Sequence, residues 1–224
     1  MIRQIGAVFA KDMLIEWRSP SRWSGIFFFA LALLLMVAFA SGPGAVTLRK
    51  QAAGSLWIAL LLASTRSLDR SFAIELENGA LEGMVTWPVD PRAIFYGKAL
   101  ANTALLATVA IAVCPLAIAL FDAPVRGSLL HFGAFLGLGC AALAAPGTLY
   151  SLLTSQARGA SLLLPVLLFP LVVPALVSAA RGTAVVLEGD PMVQAPSWLG
   201  LLAAFNAIHW SISGVLFGKV VEES

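Results

Sequence analysis

Five carboxylates within one stretch form the densest group of chemically active side chains in this sequence. They are Asp69, Glu75, Glu77, Glu82 and Asp90. The stretch matches no catalytic or metal-binding motif. Acidic side chains in this arrangement suit pairing with basic residues of a partner protein at the rim of an interface. The alternative is a solvated loop without a partner, because runs of charge are commonly no more than that.

Two histidines and two cysteines are the other candidates for binding haem iron or a metal. Cys114 and Cys140 fall within apolar runs and have no metal-binding spacing, so we expect them to be small packing residues. His131 and His209 also lie in apolar runs, where a polar residue is a functional candidate. We keep both as secondary candidates for haem contact, because a single helical histidine more often bonds a neighbouring backbone group.

No enzymatic motif is present in the sequence. A phosphate-binding P-loop ends in Gly-Lys-Ser/Thr, but Gly97-Lys98 is followed by Ala99. The HExxH and GxSxG patterns are absent as well. We therefore expect no catalytic residue, no metal and no directly bound cofactor. The net charge of +2 does not indicate a nucleic-acid partner either.

Six long apolar runs must position these residues. Hydrophobic residues make up 59% of the chain, charged residues only 12%, and the mean hydropathy is +0.90. About 20 helical residues cross a hydrocarbon core of about 30 Å, so five runs are long enough, whereas Arg66 makes the second marginal. The runs are Trp23–Ser41, Ala52–Leu68, Ala99–Phe121, Leu129–Leu153, Ala160–Ala180 and Trp198–Phe217. The sequence predicts one all-α membrane domain over residues 1–224 with six transmembrane helices.

Basic residues are distributed unevenly over the loops that six spans would leave. With a cytoplasmic N-terminus, ten lysines and arginines lie on the cytoplasmic side and four lie outside. The outer four are Arg49, Lys50, Arg126 and Arg181. An excess of positive charge inside is the usual pattern, so both termini of this multi-pass protein are predicted to be cytoplasmic.

Two segments outside the spans have patterns of their own. Residues 1–21 predict an interfacial amphipathic helix, although Asp12 and Glu16 lie at the edge of its apolar stripe. Residues 66–97 are longer than a bundle connection requires, which indicates a contact surface. There we expect the second helix to continue to Asn78-Gly79, followed by a short helix over residues 80–87.

Proline and glycine positions predict features of the packing. Pro165, Pro170 and Pro174 predict a fixed kink in the fifth span, with a moving hinge as the alternative. Gly133 and Gly137, followed by Ala141 and Ala145, form a small-residue ridge that predicts close helix packing within the subunit. A seam between two copies of the chain is the alternative for that ridge.

The segment between the second and third runs resembles the signature of the ABC-2-type permeases, the membrane halves of many ATP-driven exporters. The matching residues are Glu77, Gly79, Ala80, Leu81, Glu82, Pro88, Val89, Gly97 and Lys98. The resemblance implies that this segment contacts a separate ATP-binding cassette subunit, which hydrolyses the ATP. The implied contact residues are Glu75, Glu77, Gly79, Leu81, Glu82, Met84, Val85 and Pro88.

Two further stretches resemble the CcmB family, the permeases of cytochrome c maturation. They are GSLWIALLLAS at 54–64 followed by SLDRSF, and LLLPVLLFPLVVPALVSAARGT at 162–183. The resemblance implies a bacterial inner-membrane permease with haem as cargo. The implied partners are an ATP-binding cassette subunit, a second copy of the chain, membrane lipid and haem-handling membrane proteins. ATP hydrolysis would drive haem export or release of a haem-loaded chaperone.

Two alternative functions stay open at this point. One is an ABC-2 permease for another cargo, such as a lipid, a glycan or a drug. The other is a membrane scaffold that assembles haem-handling proteins and transports nothing.

Overall fold

The computed structural model describes residues 1–18, 20–42, 44–69, 71–72, 90–155 and 163–223. These ranges contain seven α-helices and no strand, which confirms the all-α fold class. The helices are α1 (Ile2–Trp17), α2 (Pro20–Ala40), α3 (Ala45–Asp69), α4 (Pro91–Leu120), α5 (Leu129–Ser155), α6 (Leu163–Glu188) and α7 (Ala195–Glu223).

Helices α2 to α7 run alternately in opposite directions through one bundle, which has two ends. At the terminal end, α1 lies against the start of α4, and Arg92 of α4 packs beside Gly218 of α7. At the distal end, Arg49 of α3 pairs with Asp122, which follows α4. The first helix and the end of the last helix therefore lie at the same end of the bundle.

Five of these helices are long and apolar enough to cross a membrane. Within the described residues, the qualifying stretches are Trp23–Ala40, Pro91–Leu120, Leu129–Ser155, Leu163–Glu188 and Ala195–Val221. Helix α3 does not qualify, and it is the run that Arg66 made marginal in the sequence. Its middle is surrounded by protein, since Ser55, Ser64 and most of its apolar residues are buried. The residues that lower its hydropathy lie near its two ends and are exposed: Arg49, Lys50, Gln51 and Arg66.

A buried tryptophan locks the centre of the bundle. Trp57 of α3 is 1% exposed, and its indole lies against Gly139 of α5, where an added Cβ would overlap the ring. Its Nε1 donates a hydrogen bond of 3.0 Å to Thr183 Oγ1 of α6. Between α5 and α6, the Phe135 ring packs on Gly182 in the same way. Large side chains that face glycines let the three helices pack closely. The hydrogen bond from Trp57 to Thr183 satisfies two polar groups that this packing buries.

Several helices extend beyond the predicted runs. Helix α4 begins at Pro91, eight residues before Ala99. Asp90 caps it, accepting a 2.9 Å hydrogen bond from Arg92 N, and Pro91 fits the first turn because it needs no amide donor there. Helix α6 continues past Arg181 because the packing of Gly182 and the Thr183 bond hold that turn. Hydropathy marks only the hydrocarbon-facing part of a helix and misses its polar ends.

The small residues give a mixed outcome. Cys114 and Cys140 are buried in the main core, so their prediction as packing residues is confirmed. The prediction that Gly133 and Gly137 pack within the subunit is wrong. Both are exposed, with nothing within 4 Å of an added Cβ, because α5 turns its other glycine face towards Trp57.

We expect Gly139→Ala to lower the melting temperature of the purified protein in detergent. Overpacking a filled core costs about 1–3 kcal/mol, because the indole and two helices must move. Gly200→Ala on α7 is the control, because Gly200 is exposed with nothing within 4 Å of an added Cβ, and it should leave the melting temperature unchanged or raise it, since alanine favours helix. Equal effects of the two substitutions would contradict the Trp57 packing.

Candidate functional site

The residues predicted to contact an ATP-binding subunit all lie within 73–89, outside the described residues. They are Glu75, Glu77, Gly79, Leu81, Glu82, Met84, Val85 and Pro88. The structure describes the chain on both sides of them, where α3 ends and α4 begins. These two flanks and the N-terminal helix form the candidate site, which we call the junction: Asp12, Ser71, Phe72, Gly97 and Lys98.

The incoming flank is fixed by its backbone and by its aromatic ring. The Ser71 carbonyl accepts a 2.9 Å hydrogen bond from Lys98 Nζ, and Ser71 Oγ accepts one of 3.1 Å from Asn102. Phe72 is fully buried, with its ring centroid 5.8 Å from that of Phe217 on α7. The chain therefore enters residues 73–89 from a rigid point.

The outgoing flank is fixed by the close approach of α1 to α4. An added Cβ at Gly97 would lie 2.6 Å from Val8 Cβ and 3.0 Å from the Ile5 carbonyl oxygen. Only glycine allows the two helices to pack at this distance. Phe95, two residues before Gly97, is also fully buried, and its ring centroid lies 5.6 Å from that of Phe217.

Lys98 is the central charge of the junction. It is 2% exposed, and its Nζ lies 3.2 Å from Asp12 Oδ2 and 4.8 Å from the centre of the Phe72 ring. A buried ammonium is costly unless it is paired and hydrogen-bonded, and here a carboxylate, a carbonyl and an aromatic face surround it. One side chain thus joins α1, the end of α3 and α4.

Hydrogen bonds connect the junction to α5. Asn102 Nδ2 donates a hydrogen bond of 2.9 Å to Thr148 Oγ1, in addition to its hydrogen bond to Ser71. Ser151 Oγ donates to the Leu68 carbonyl oxygen. The last turn of α3 and the fourth turn of α4 are therefore held by the same stretch of α5.

The two histidines lie at different depths of the bundle. His209 stacks on Phe205 with ring centroids 3.8 Å apart, and its Nδ1 is 3.0 Å from the Phe205 carbonyl oxygen. His131 lies in the first turn of α5 at the distal end. Asn206 of α7 donates a hydrogen bond to the Leu138 carbonyl oxygen of α5, so these two residues lie at the same level of the bundle. His131 lies seven residues before Leu138 and His209 three residues after Asn206, which separates the histidines by about 15 Å along the bundle axis. The described residues contain no cluster of His, Cys, Asp and Glu suited to a metal.

Sequence reasoning missed the junction although a signal for it was present. Asp12 interrupts the apolar stripe of α1, and Lys98 follows Gly97 at the start of an apolar run. Each is unfavourable alone, so a partner was required. Nothing in the sequence indicated that the two residues, 86 positions apart, are partners.

Removing the Lys98 charge is expected to destabilise the protein by about 2 kcal/mol. A fully buried pair loses about 3–5 kcal/mol when one partner is removed, and the Asp12 side chain is 14% exposed, which reduces the loss. Lys98→Met should lower the melting temperature in detergent and speed tryptic cleavage in α1. Lys219→Met, an exposed control on α7, should do neither.

The double variant Asp12→Asn/Lys98→Met separates the pair from general damage. Its loss should be smaller than the sum of the single losses by about 1–2 kcal/mol, because no unpaired buried charge remains; Lys11, which also pairs with Asp12, is 39% exposed and solvated. Additive losses would contradict a direct interaction.

The chain is similar to known proteins over nearly its whole length. It matches the family described as CcmB protein over residues 3–224. Heme exporter protein B of Paracoccus denitrificans is 37% identical over 199 residues, covering 81% of this chain and 86% of that protein. The protein of the same name from Rhodobacter capsulatus is 34% identical over 176 residues, covering 78% and 80%. That from Bradyrhizobium diazoefficiens is 32% identical over 213 residues, covering 91% and 90%. The chain belongs to the CcmB family.

Proposed function

We propose that this chain is the membrane subunit of an ATP-driven transporter for cytochrome c maturation. Its relatives are named heme exporter protein B, which supports haem as the cargo. The sequence contains no P-loop, which supports ATP hydrolysis on a separate cassette subunit. The observation that carries the proposal is the junction, since it fixes both flanks of a segment that resembles the cassette contact of ABC-2-type permeases.

In this proposal six helices cross the membrane, α3 included. Helix α3 runs from the Arg49–Asp122 pair at the distal end to the Ser71–Lys98 bond at the terminal end. The five apolar helices extend between the same two ends. The lower hydropathy of α3 comes from polar and charged residues near its two ends, whereas its middle, residues 52–65, is apolar.

The terminal end faces the cytoplasm in this proposal. It carries most of the basic residues, in agreement with the positive-inside rule. Helix α1 lies in the membrane interface there, with Ile2, Leu14 and Trp17 exposed to lipid. Residues 73–89 then also lie on the cytoplasmic side, where a cassette subunit has access to ATP.

The mechanism is mechanical. Cassette subunits close on ATP and push residues 73–89, where Leu81, Met84 and Val85 fill an apolar groove and the acids pair at its rim. Because both flanks are fixed, the push moves α3 and α4 as rigid bodies. Lys98 passes the motion to α1 through Asp12. The motion drives either haem export or release of a haem-loaded chaperone.

A second copy of the chain completes the transporter in this proposal. The exposed ridge of Gly133 and Gly137 supports such an interface, since small residues let membrane helices from two subunits approach closely. His131 and His209 remain candidate haem contacts that act separately, because the bundle register keeps them apart. A permease for another cargo and a non-transporting scaffold are the rival functions.

Leu81→Asp is expected to reduce recovery of the ATP-binding subunit with the tagged chain at least tenfold, because a charge enters the apolar groove. Insertion of the chain into the membrane should be unaffected. Met192→Asp changes an exposed apolar residue at the distal end and should leave recovery unchanged. Full recovery with Leu81→Asp would reject the contact, and absence of any ATP-binding protein from the unaltered complex would favour the scaffold.

Accessibility to a membrane-impermeant maleimide tests the orientation. In a variant lacking Cys114 and Cys140, Met192→Cys should react in intact cells with a permeable outer membrane, whereas Lys219→Cys should react only after lysis. Both replaced side chains are exposed at opposite ends of the bundle. The reverse pattern would place residues 73–89 outside the cytoplasm and end the proposal.

A further inference from the structure

A basic hollow lies at the distal end, remote from the junction. It has a volume of about 90 Å³ and lies between the first turns of α3, the chain after α4 and the last turns of α6. Its charged lining residues are Arg49, Lys50, Arg126 and Glu188. Neither the sequence reasoning nor the proposed transport mechanism uses this site.

The walls of the hollow are fixed on two sides. Arg49 Nε donates a 3.1 Å hydrogen bond to Asp122 Oδ2, and the Arg49 Nη2 group contacts the same oxygen. Gly127 N donates a hydrogen bond of 2.8 Å to the Val186 carbonyl oxygen. An added Cβ at Gly127 would also lie only 2.8 Å from that oxygen, so glycine is required there. The chain carrying Arg126 is thus tied to α3 at one side and to α6 at the other.

The remaining charges of the lining are available to a ligand. Lys50, Arg126 and Glu188 have no ion pair or hydrogen bond to a charged partner among the residues that the structure describes. Two cations and one carboxylate leave one net positive charge, because Arg49 is already neutralised by Asp122.

The floor of the hollow is apolar. Ala123 and Leu187 line both the basic hollow and a smaller one of about 10 Å³ beneath it. Leu56, Ile118 and Phe132 enclose that smaller space. Cationic groups therefore stand above an apolar floor at the level where the helices end, which is the depth of lipid head groups.

We infer that this hollow binds the anionic head group of an amphiphile, a phosphate or a carboxylate attached to an apolar body. Lys50 and Arg126 bind the anionic oxygens. Glu188 keeps the net charge suited to a single anionic head. A lipid ligand is independent of the proposed function, whereas a haem carboxylate as the ligand rests on it.

Size restricts which part of a ligand enters. Pockets for drug-sized molecules have volumes of about 300–1,000 Å³, well above that of the hollow. A phospholipid would therefore place its phosphate in the hollow with its chains along α6. A tetrapyrrole cargo would insert a carboxylate arm and leave its ring outside.

Binding by the full-length chain in phosphatidylcholine nanodiscs tests the inference for both ligand sources. Phosphatidylglycerol retention is followed by native mass spectrometry, and haem binding by absorbance, with haem dimethyl ester as the probe lacking free carboxylates. In the double variant Lys50→Gln/Arg126→Gln the affinity for the bound ligand should fall about 30-fold. Each basic residue near an anionic head group contributes about fivefold to the affinity, and the two contributions multiply. The charge-preserving swap Lys50→Arg/Arg126→Lys should retain binding.

A matched control removes two exposed cations from the other end of the bundle. Arg3→Gln/Lys219→Gln should leave both affinities unchanged. A loss confined to phosphatidylglycerol supports the inference with lipid as the source. A loss confined to haem, with no binding of the dimethyl ester, supports it with a cargo carboxylate. Unchanged affinity for both ligands in the Lys50/Arg126 variant, or an equal loss in the control, overturns the inference.

Discussion

The buried ammonium of Lys98 sets the arrangement of the terminal end of this protein. Its neighbours must supply a negative charge and acceptors, because an isolated cation at 2% exposure is strongly destabilising. Asp12 supplies the charge from α1, and the Ser71 carbonyl supplies an acceptor at the end of α3. Gly97 makes this possible by letting α1 approach α4. Three separate parts of the chain therefore meet at one charge.

In the proposed function, the bundle behind the junction transmits motion. Trp57, Gly139 and Thr183 join α3, α5 and α6 at the centre, while Ser151 joins α5 to the end of α3. Tightly packed interiors shift between discrete arrangements instead of deforming gradually. A push on residues 73–89 would therefore be carried along α3 and α4 to the distal end. In the proposed function this rigidity is what links ATP hydrolysis to haem handling.

The sequence predicted the helical class and five of the spans, because hydropathy over about 20 residues is a strong local signal. It placed helix ends poorly, since the polar turns at Pro91 and Glu188 depend on caps and contacts. It could not pair Asp12 with Lys98, because a tertiary ion pair leaves no periodic pattern. It misassigned the Gly133–Gly137 ridge, since two glycine faces of α5 look alike until Trp57 selects one. The contact residues from Glu75 to Pro88 stay a prediction.

The central claim is that residues 73–89 are held by a nucleotide-hydrolysing partner. A photo-crosslinking amino acid at Met84, activated in native membranes and followed by mass spectrometry of the adduct, tests it most directly. We expect an adduct with an ATP-binding subunit at position 84 and none at position 192 of the distal end. Crosslinks from position 84 only to lipid, or to a protein without a nucleotide site, would contradict the account.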